Sequence, residues 1–133
     1  MSKSYFVQMF PEMGRGLVAK HSIDVDSIIT VCELLVLDAV DTWSVNKTAL
    51  QFYTFKFNES QDCLVLGDGE IFNHSDKPNV TYRLESYGDR MMMVFQATSR
   101  IEQGEQLFID YSQDMYINAE EYTKAKSLTG SVK

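Results

Sequence analysis

The sequence has few of the side chains that build metal clusters or disulfide frameworks. Its 133 residues include two cysteines and two histidines. Cys32 and Cys63 lie far apart in the chain, and together with His21 and His74 they match no zinc-ligand spacing. We therefore expect both cysteines to be buried structural thiols, and we expect no metal site.

Long apolar runs are also lacking. No apolar segment with a cleavage site follows Met1, and no stretch approaches the roughly 20 residues that span a bilayer. These absences predict an intracellular protein without a membrane partner, in the cytoplasm or the nucleus. For a protein of a virus, or one secreted by a pathogen, that nucleus would be the host's.

Basic residues are outnumbered. The chain has 12 Lys and Arg residues against 19 Asp and Glu residues, for a formal net charge of -7. A negative surface repels polyanions, so we do not expect direct binding to nucleic acid. The charge suits a basic protein or peptide as partner, although acidic residues also simply keep proteins soluble.

Several common catalytic arrangements are missing as well. No Ser-His-Asp or Cys-His set stands out, and no P-loop is present. What the chain does have is 44% hydrophobic residues, which can fill a real core. The length is too short for two ordinary domains, so we predict one domain over 1–133.

Short β-prone runs separated by turns predict a mostly β fold (α+β) with little helix. Met13 to Gly16 reads as a loop, Asp41 to Asn46 as a break, and Gly88-Asp89 as the turn of a hairpin. Ala119 to Ser127 has helix-forming composition. The predicted strands are Tyr5–Phe10, Leu17–Ala19, Ile28–Val40, Phe52–Phe57, Leu64–Leu66, Val80–Ser86, Met91–Ala97 and Leu107–Tyr111.

Three motifs stand out in these strands and turns. The most specific is Asn73-His74-Ser75, followed by Pro78 and Asn79, because it places a polar, irregular segment between apolar runs. By itself, it could be an ordinary surface turn. The others are Gly14-Arg15-Gly16 near the start and the run from Gly104 to Asp110-Tyr111 near the end.

In this order, the three motifs resemble the SET-domain protein-lysine methyltransferases, above all the small free-standing SET domains of viruses and bacteria. The resemblance spans roughly Tyr5 to Tyr116. It implies a fold of several small sheets with a C-terminal knot-like core, which would bring Asn73 and Tyr111 together. The domain core would cover about 5–116, and a helical tail about 117–133.

The resemblance also implies a cofactor and a set of roles. S-adenosyl-L-methionine would be bound by the backbone of Gly14, Arg15 and Gly16 and by Asn73 and His74, the latter through its main chain or its ring. Tyr111 would be the catalytic tyrosine. Without the resemblance, each of these residues also has an ordinary structural explanation as a tight turn, a turn-stabilising side chain or a strand-end tyrosine.

Methyl transfer to lysine needs a neutral amine, although the free lysine pKa is about 10.4. A sulfonium neighbour and a narrow apolar channel both lower that pKa. The resemblance implies a substrate channel at Tyr82 and Ile109, with Tyr53 and Tyr116 as further candidates. For Tyr53, core packing is an equal explanation. An aliphatic Ile109 leaves mono-, di- and trimethylation open.

The sequence departs from many chromatin SET enzymes because no cysteine follows Cys63, so there is no Cys-rich zinc segment to close the channel. Closure would come from Met115, Tyr116 and Ala119–Ser127, or from a second copy in a homodimer. The substrate would be a basic protein or peptide that carries the target lysine, including a histone tail. A catalytically silent SET-like module that binds a basic peptide is the alternative, and a small β domain without a ligand ranks last.

Overall fold

The computed structural model describes residues 3–111, and strands dominate this part of the chain. Met115, Tyr116 and the predicted helix Ala119–Ser127 lie outside the described residues. One α-helix, α1 (Ala39–Val45), and two 3₁₀ helices (Ala49–Tyr53 and Asp68–Ile71) interrupt the strands. The strands are β1 (Tyr5–Phe10), β2 (Gly14–Ala19), β3 (Ile28–Val36), β4 (Thr54–Lys56), β5 (Asp62–Val65), β6 (Asn73–His74), β7 (Val80–Tyr87), β8 (Arg90–Ala97) and β9 (Gln106–Ile109).

The described residues group into two compact units. The first comprises residues 3–31, 71–82 and 94–111, and the second comprises residues 32–70 and 83–93. The predicted single-domain organisation and the knot-like core stay predictions.

The first unit holds a four-stranded sheet of order β1-β2-β9-β6. β1 and β2 pair antiparallel from Tyr5 opposite Ala19 to Phe10 opposite Gly14. β9 continues the sheet by pairing antiparallel with β2 and parallel with β6. Leu17 on β2 and Leu107 on β9 lie opposite each other and are fully buried, so burial of apolar surface fixes this register.

The second unit is built around antiparallel pairs of β5. β3 pairs with β5 at Leu34–Val65, and β4 pairs with β5 at Phe55–Cys63. The whole sheet that contains these strands has the order β4-β5-β3-β8-β7. Cys32 and Cys63 are both buried free thiols, as the sequence predicts.

Three sequence predictions are confirmed. The described chain is mostly β with little helix, β1 has the predicted bounds, and β7 and β8 form the predicted hairpin around Gly88. Gly88 has φ +67°, a conformation that glycine adopts without a Cβ penalty.

In residues 3–111 no helix is long and apolar enough to cross a membrane, and no three His, Cys, Asp or Glu residues are placed to hold a metal ion.

Two predictions in the middle of the chain are wrong. The strand predicted over Ile28–Val40 ends at Val36, and α1 occupies most of the predicted break because Asp38 caps it, accepting the Asp41 N–H at 2.8 Å. The strand predicted over Phe52–Phe57 shrinks to Thr54–Lys56. Thr48 caps a 3₁₀ helix immediately before it, so Tyr53 lies outside the strand and is 43% exposed.

Boundaries near the motifs also differ from the predictions. Gly14 to Gly16 start β2 instead of forming a loop, because they pair with β1. Asn73 and His74 form a short strand because β9 offers them a parallel partner. β5 runs from Asp62 to Val65 instead of over Leu64–Leu66. β9 ends at Ile109, so Tyr111 is the second residue after the last strand and not part of it.

Candidate active site

The Asn-His motif lies against the last strand. Asn73 is opposite Phe108 and His74 is opposite Ile109 in the parallel β6–β9 pair. The Ser75 N–H extends the pairing by donating to the Ile109 carbonyl at 2.9 Å. Residues that are more than 30 positions apart in the sequence therefore become neighbours.

The side chain of Asn73 connects this pair to the glycine motif. Its Nδ2 donates to the Arg15 carbonyl at 3.1 Å and to Gln106 Oε1 at 2.8 Å. Asn73 thus holds Gly14-Arg15-Gly16 and β9 in one arrangement. This amide joins the Asn-His motif to the Gly14-Arg15-Gly16 motif within the first unit.

Gly14 and Gly16 are glycines for different structural reasons. A Cβ on Gly16 would lie 2.6 Å from Gln106 Oε1, 2.7 Å from Asn73 Nδ2 and 2.8 Å from Phe10 Cε2, so these side chains would have to shift to admit it. Gly14 has φ +76°, and no heavy atom lies within 4 Å of the place where its Cβ would be. Gly16 is therefore required by packing, while Gly14 borders open space.

Tyr111 is held at both ends next to His74. Its N–H donates to His74 Nδ1 at 3.0 Å, and its hydroxyl donates to the Phe72 carbonyl at 2.7 Å. The Tyr111 and His74 rings lie 5.1 Å apart at 40°. Tyr111 is 56% exposed, so hydrogen bonds rather than burial define the position of its ring.

The groups behind Tyr111 are buried and apolar. Phe72 stacks on Phe95 with ring centroids 4.5 Å apart, and Tyr82 packs on the same ring at 5.9 Å. The Tyr82 hydroxyl donates to the Asp110 carbonyl at 3.1 Å, which fixes the main chain just before Tyr111. Tyr82 and Ile109, two predicted channel residues, are both buried in this unit.

The other two predicted channel residues are Tyr53 and Tyr116. Tyr53 belongs to the second unit, where it ends the first 3₁₀ helix. Tyr116 lies outside the described residues.

Sequence reasoning quoted Asn79 in the motif but gave it no role. Its Nδ2 donates to the Gln106 carbonyl at 3.0 Å, and its Oδ1 accepts the Phe108 N–H at 2.8 Å. One amide therefore satisfies both kinds of main-chain group on β9, as a neighbouring strand would. Gln106 itself, the second partner of Asn73, carried no signal in the sequence.

The carboxyl group of Glu70, at the end of one segment of the second unit, has an unusual environment. Burial raises the pKa of Glu70 to about 7, although the Val65 N–H donates to its Oε1 at 2.6 Å. The other oxygen, Oε2, is buried and has no hydrogen-bond partner among the described residues. Burial, and then the charges of Glu70 and Asp62, also raise the pKa of the Cys63 thiol, so that this thiol is inert.

Comparisons of the sequence and of the structure with known proteins point to the same family. The SET domain family model matches residues 14–112. A histone-lysine N-methyltransferase of Schizosaccharomyces pombe, described as specific for H3 lysine-37, is 26% identical over 108 residues, which cover 80% of this chain and 72% of that protein.

Two solved structures share the fold. A Plasmodium falciparum protein described as a histone methyltransferase aligns with a TM-score of 0.66 at 21% identity, covering 86% of this chain and 97% of that one. A humanised mutant of the Chaetomium thermophilum Polycomb Repressive Complex 2 aligns with the same TM-score at 19% identity over 89% of this chain. This chain spans only 16% of the matched chain of that complex. These likenesses confirm the predicted fold class.

Proposed function

Because the chain belongs to the SET domain family, we propose that it transfers a methyl group from S-adenosyl-L-methionine to the side-chain amine of a lysine in a basic protein. Membership of this family and the named fission-yeast relative make the chain a protein-lysine methyltransferase. The methyl donor, the substrate and the roles of single residues are the proposed part.

The observation that carries the proposal is the hydrogen bond from the Tyr111 hydroxyl to the Phe72 carbonyl. It commits the phenol proton to the main chain, so the lone pairs of the phenol oxygen stay available as acceptors. A neutral acceptor fixed in this way can orient the N–H bonds of an incoming amine. It can equally accept the polarised C–H bonds of a methyl group on a sulfonium.

The main chemical requirement is a neutral lysine. An ammonium has no lone pair with which to attack, and the ordinary lysine pKa is about 10.4. Removal of the amine from water lowers its pKa, and the buried apolar groups behind Tyr111, namely Ile109, Phe72 and Tyr82, provide such surroundings. Once the amine is neutral and in line with the methyl group, positioning supplies most of the rate acceleration.

The residues near Gly14 fit the proposed cofactor. When bound, S-adenosyl-L-methionine supplies a methyl group on a cationic sulfur. Gly14 faces open space, so a ligand can approach the backbone there, while Asn73 holds the Arg15 carbonyl in a fixed position. We assign cofactor binding to the main chain of Gly14, Arg15 and Gly16 and to Asn73 and His74.

The substrate channel is proposed at Tyr82 and Ile109, with Tyr53 and Tyr116 as the further candidates. Tyr82 would act mainly through the Asp110 carbonyl that it holds. A compact aliphatic side chain at Ile109 leaves the number of transferred methyl groups open.

The net charge of -7 favours a basic protein as substrate, and the H3 specificity described for the fission-yeast relative makes a histone the first substrate to test. We propose that the protein acts inside a cell, in the cytoplasm or a nucleus, without direct contact to nucleic acid. A homodimer is one way to close the channel.

The test is transfer of isotope-labelled methyl groups from S-adenosyl-L-methionine into core histones and into a whole-cell lysate. Amino-acid analysis of the labelled protein should give methylated lysine. If no protein is labelled at cofactor concentrations above the measured Kd, the proposed reaction is wrong, and a silent module that binds basic peptides becomes the better account.

A further inference from the structure

The imidazole of His74 has a hydrogen-bonding role that is separate from cofactor binding. Its Nδ1 lies 3.0 Å from the main-chain nitrogen of Tyr111. A main-chain N–H can only donate, so Nδ1 must be the acceptor and must carry no proton. The geometry therefore defines the state of the ring, which is neutral with its proton on Nε2.

A carboxylate lies next to the same ring atom. The Asp110 Oδ1 atom is 3.7 Å from His74 Nδ1. Within residues 3–111, the Asp110 carboxylate is the charged group that lies within 4 Å of the imidazole. Asp76 and Lys77 follow His74 on its own segment, and the Tyr111 ring is 5.1 Å away. A proton on Nδ1 would remove the acceptor for Tyr111 and create a donor toward Asp110.

These two hydrogen-bonding arrangements exclude each other. The neutral ring accepts from Tyr111, whereas the charged ring pairs with Asp110 and leaves the Tyr111 N–H without this partner. Tyr111 is more than half exposed, so burial contributes little to fixing its main chain. The side chain of His74 is also 44% exposed, so solvent protons reach it directly.

We propose that the neutral imidazole of His74 is a positioning residue for Tyr111, and that a proton on Nδ1 lowers the rate of methyl transfer. The inference rests on the proposed function for the role of Tyr111. It assigns the side chain of His74 a task that a main-chain contact with the cofactor does not explain.

Two variants separate this role from simple packing. In His74→Asn, Oδ1 is attached to Cγ as Nδ1 is, so it can accept the Tyr111 N–H but cannot take up a proton. His74→Leu fills similar space without any acceptor. We expect His74→Asn to be at least about tenfold more active than His74→Leu, because only the Asn variant keeps an acceptor for the Tyr111 N–H. This factor corresponds to about 1.4 kcal/mol in the free energy of activation.

The pH profile gives the sharper readout. If a proton on Nδ1 lowers the rate, log kcat/KM should rise more steeply with pH in the wild type than in His74→Asn, which has no such proton to lose. His74→Asn should show a slope of about 1, from the lysine alone. Equal slopes, or equal activity of the Asn and Leu variants, would overturn the positioning role.

A measurement on the free protein does not depend on turnover. The ¹⁵N shifts of the His74 ring should show an unprotonated Nδ1 in the neutral form, and the Tyr111 amide signal should change when Nδ1 gains a proton. A neutral ring with its proton on Nδ1 would overturn the positioning role alone. The expected shifts in a protein that transfers no methyl group would overturn the proposed function, and the positioning role with it.

Discussion

The hydroxyl of Tyr111 donates a 2.7 Å hydrogen bond to the main-chain carbonyl of Phe72. Phe72 is 1% exposed and stacks on Phe95, so the carbonyl that it carries belongs to the rigid core. Tyr111 is 56% exposed. An exposed phenol is thus held at a fixed position by a buried residue, which is the arrangement that a reaction dependent on positioning needs.

This hydrogen bond should matter far less for stability than for activity. We expect Tyr111→Phe to lower the free energy of unfolding by about 0.5–1.5 kcal/mol, the usual net contribution of one hydrogen bond. Urea unfolding measures this change. Tyr87→Phe, at the exposed end of β7, is the matched control and should change stability by less than about 0.5 kcal/mol. A loss of several kcal/mol in Tyr111→Phe would show that Tyr111 serves mainly the fold.

A methyl group at Gly16 should destabilise the fold. In Gly16→Ala, the new Cβ would contact Gln106 Oε1, Asn73 Nδ2 and Phe10 Cε2 at less than 3 Å. Relief of this overlap must disturb the Asn73 amide bonds, so we expect a loss of about 1–3 kcal/mol in the free energy of unfolding. Thermal or urea unfolding tests it, and wild-type stability in this variant would contradict the packing account of Gly16.

Gly14 should matter for the cofactor instead. Gly14→Ala and Gly104→Ala are matched, because both positions have positive φ and neither has a heavy atom within 4 Å of the added Cβ. Both variants should lose about 1–2 kcal/mol of stability from backbone strain. In calorimetric titrations, we expect Gly14→Ala to bind S-adenosyl-L-methionine at least about tenfold more weakly than Gly104→Ala, a difference of about 1.4 kcal/mol.

Equal affinities in the two glycine variants would place the cofactor away from Gly14. That result would leave the family membership intact and would move the proposed binding loop elsewhere in the chain.

Asn79 should stabilise β9 through both ends of its amide. Asn79→Ala removes the acceptor of the Phe108 N–H and the donor to the Gln106 carbonyl. We expect a loss of about 1–3 kcal/mol, since partly buried main-chain groups lose their partners. Asn79→Asp keeps the acceptor and should lose less. Hydrogen exchange of the Phe108 amide should accelerate in Asn79→Ala and stay slower in Asn79→Asp, and equal exchange in both would contradict this role.

Glu70 should make stability depend on pH. Its pKa rises from 4.5 to about 7 on folding, so the folded state binds the proton more tightly than the unfolded state. The contribution of Glu70 to the free energy of unfolding is therefore fully present below about pH 4.5 and is lost as the pH rises through about 7. The carboxyl is only partly buried, so solvent screening reduces the effect to about 1–2 kcal/mol.

The matched pair for this prediction is Glu70→Gln and the exposed Glu59→Gln. In urea unfolding at pH 5 and pH 8, the stability of Glu70→Gln relative to the wild type should rise with pH by the stated amount. The Glu59→Gln variant is the control for the loss of one carboxylate at an exposed position. A pH-independent difference for Glu70→Gln would show that the buried carboxyl keeps its ordinary pKa.

Local chemistry explains which elements could be predicted from the sequence. β1 ends where Pro11 follows, and the β7–β8 hairpin turns at Gly88, so the determinants lie within a few residues. α1 was missed because its cap, Asp38, lies inside an apolar run rich in β-branched residues. That run favours a strand unless the single capping hydrogen bond is recognised.

Non-local pairing explains what could not be predicted. β6 has only two residues and exists because β9, more than 30 positions later, pairs with it. The family resemblance placed Asn73 near Tyr111, but it did not reveal that the Asn73 amide holds Arg15 or that His74 accepts from Tyr111. Such contacts depend on side-chain directions that only the folded chain sets.

The most direct test of the account is methyl transfer by Tyr111→Phe at saturating S-adenosyl-L-methionine, with cofactor affinity measured in parallel. We expect the variant to bind the cofactor as the wild type does and to lose at least about 100-fold in kcat, because an acceptor at the reacting atoms is missing. Wild-type turnover in this variant would contradict the account, since the phenol oxygen would then have no part in the reaction.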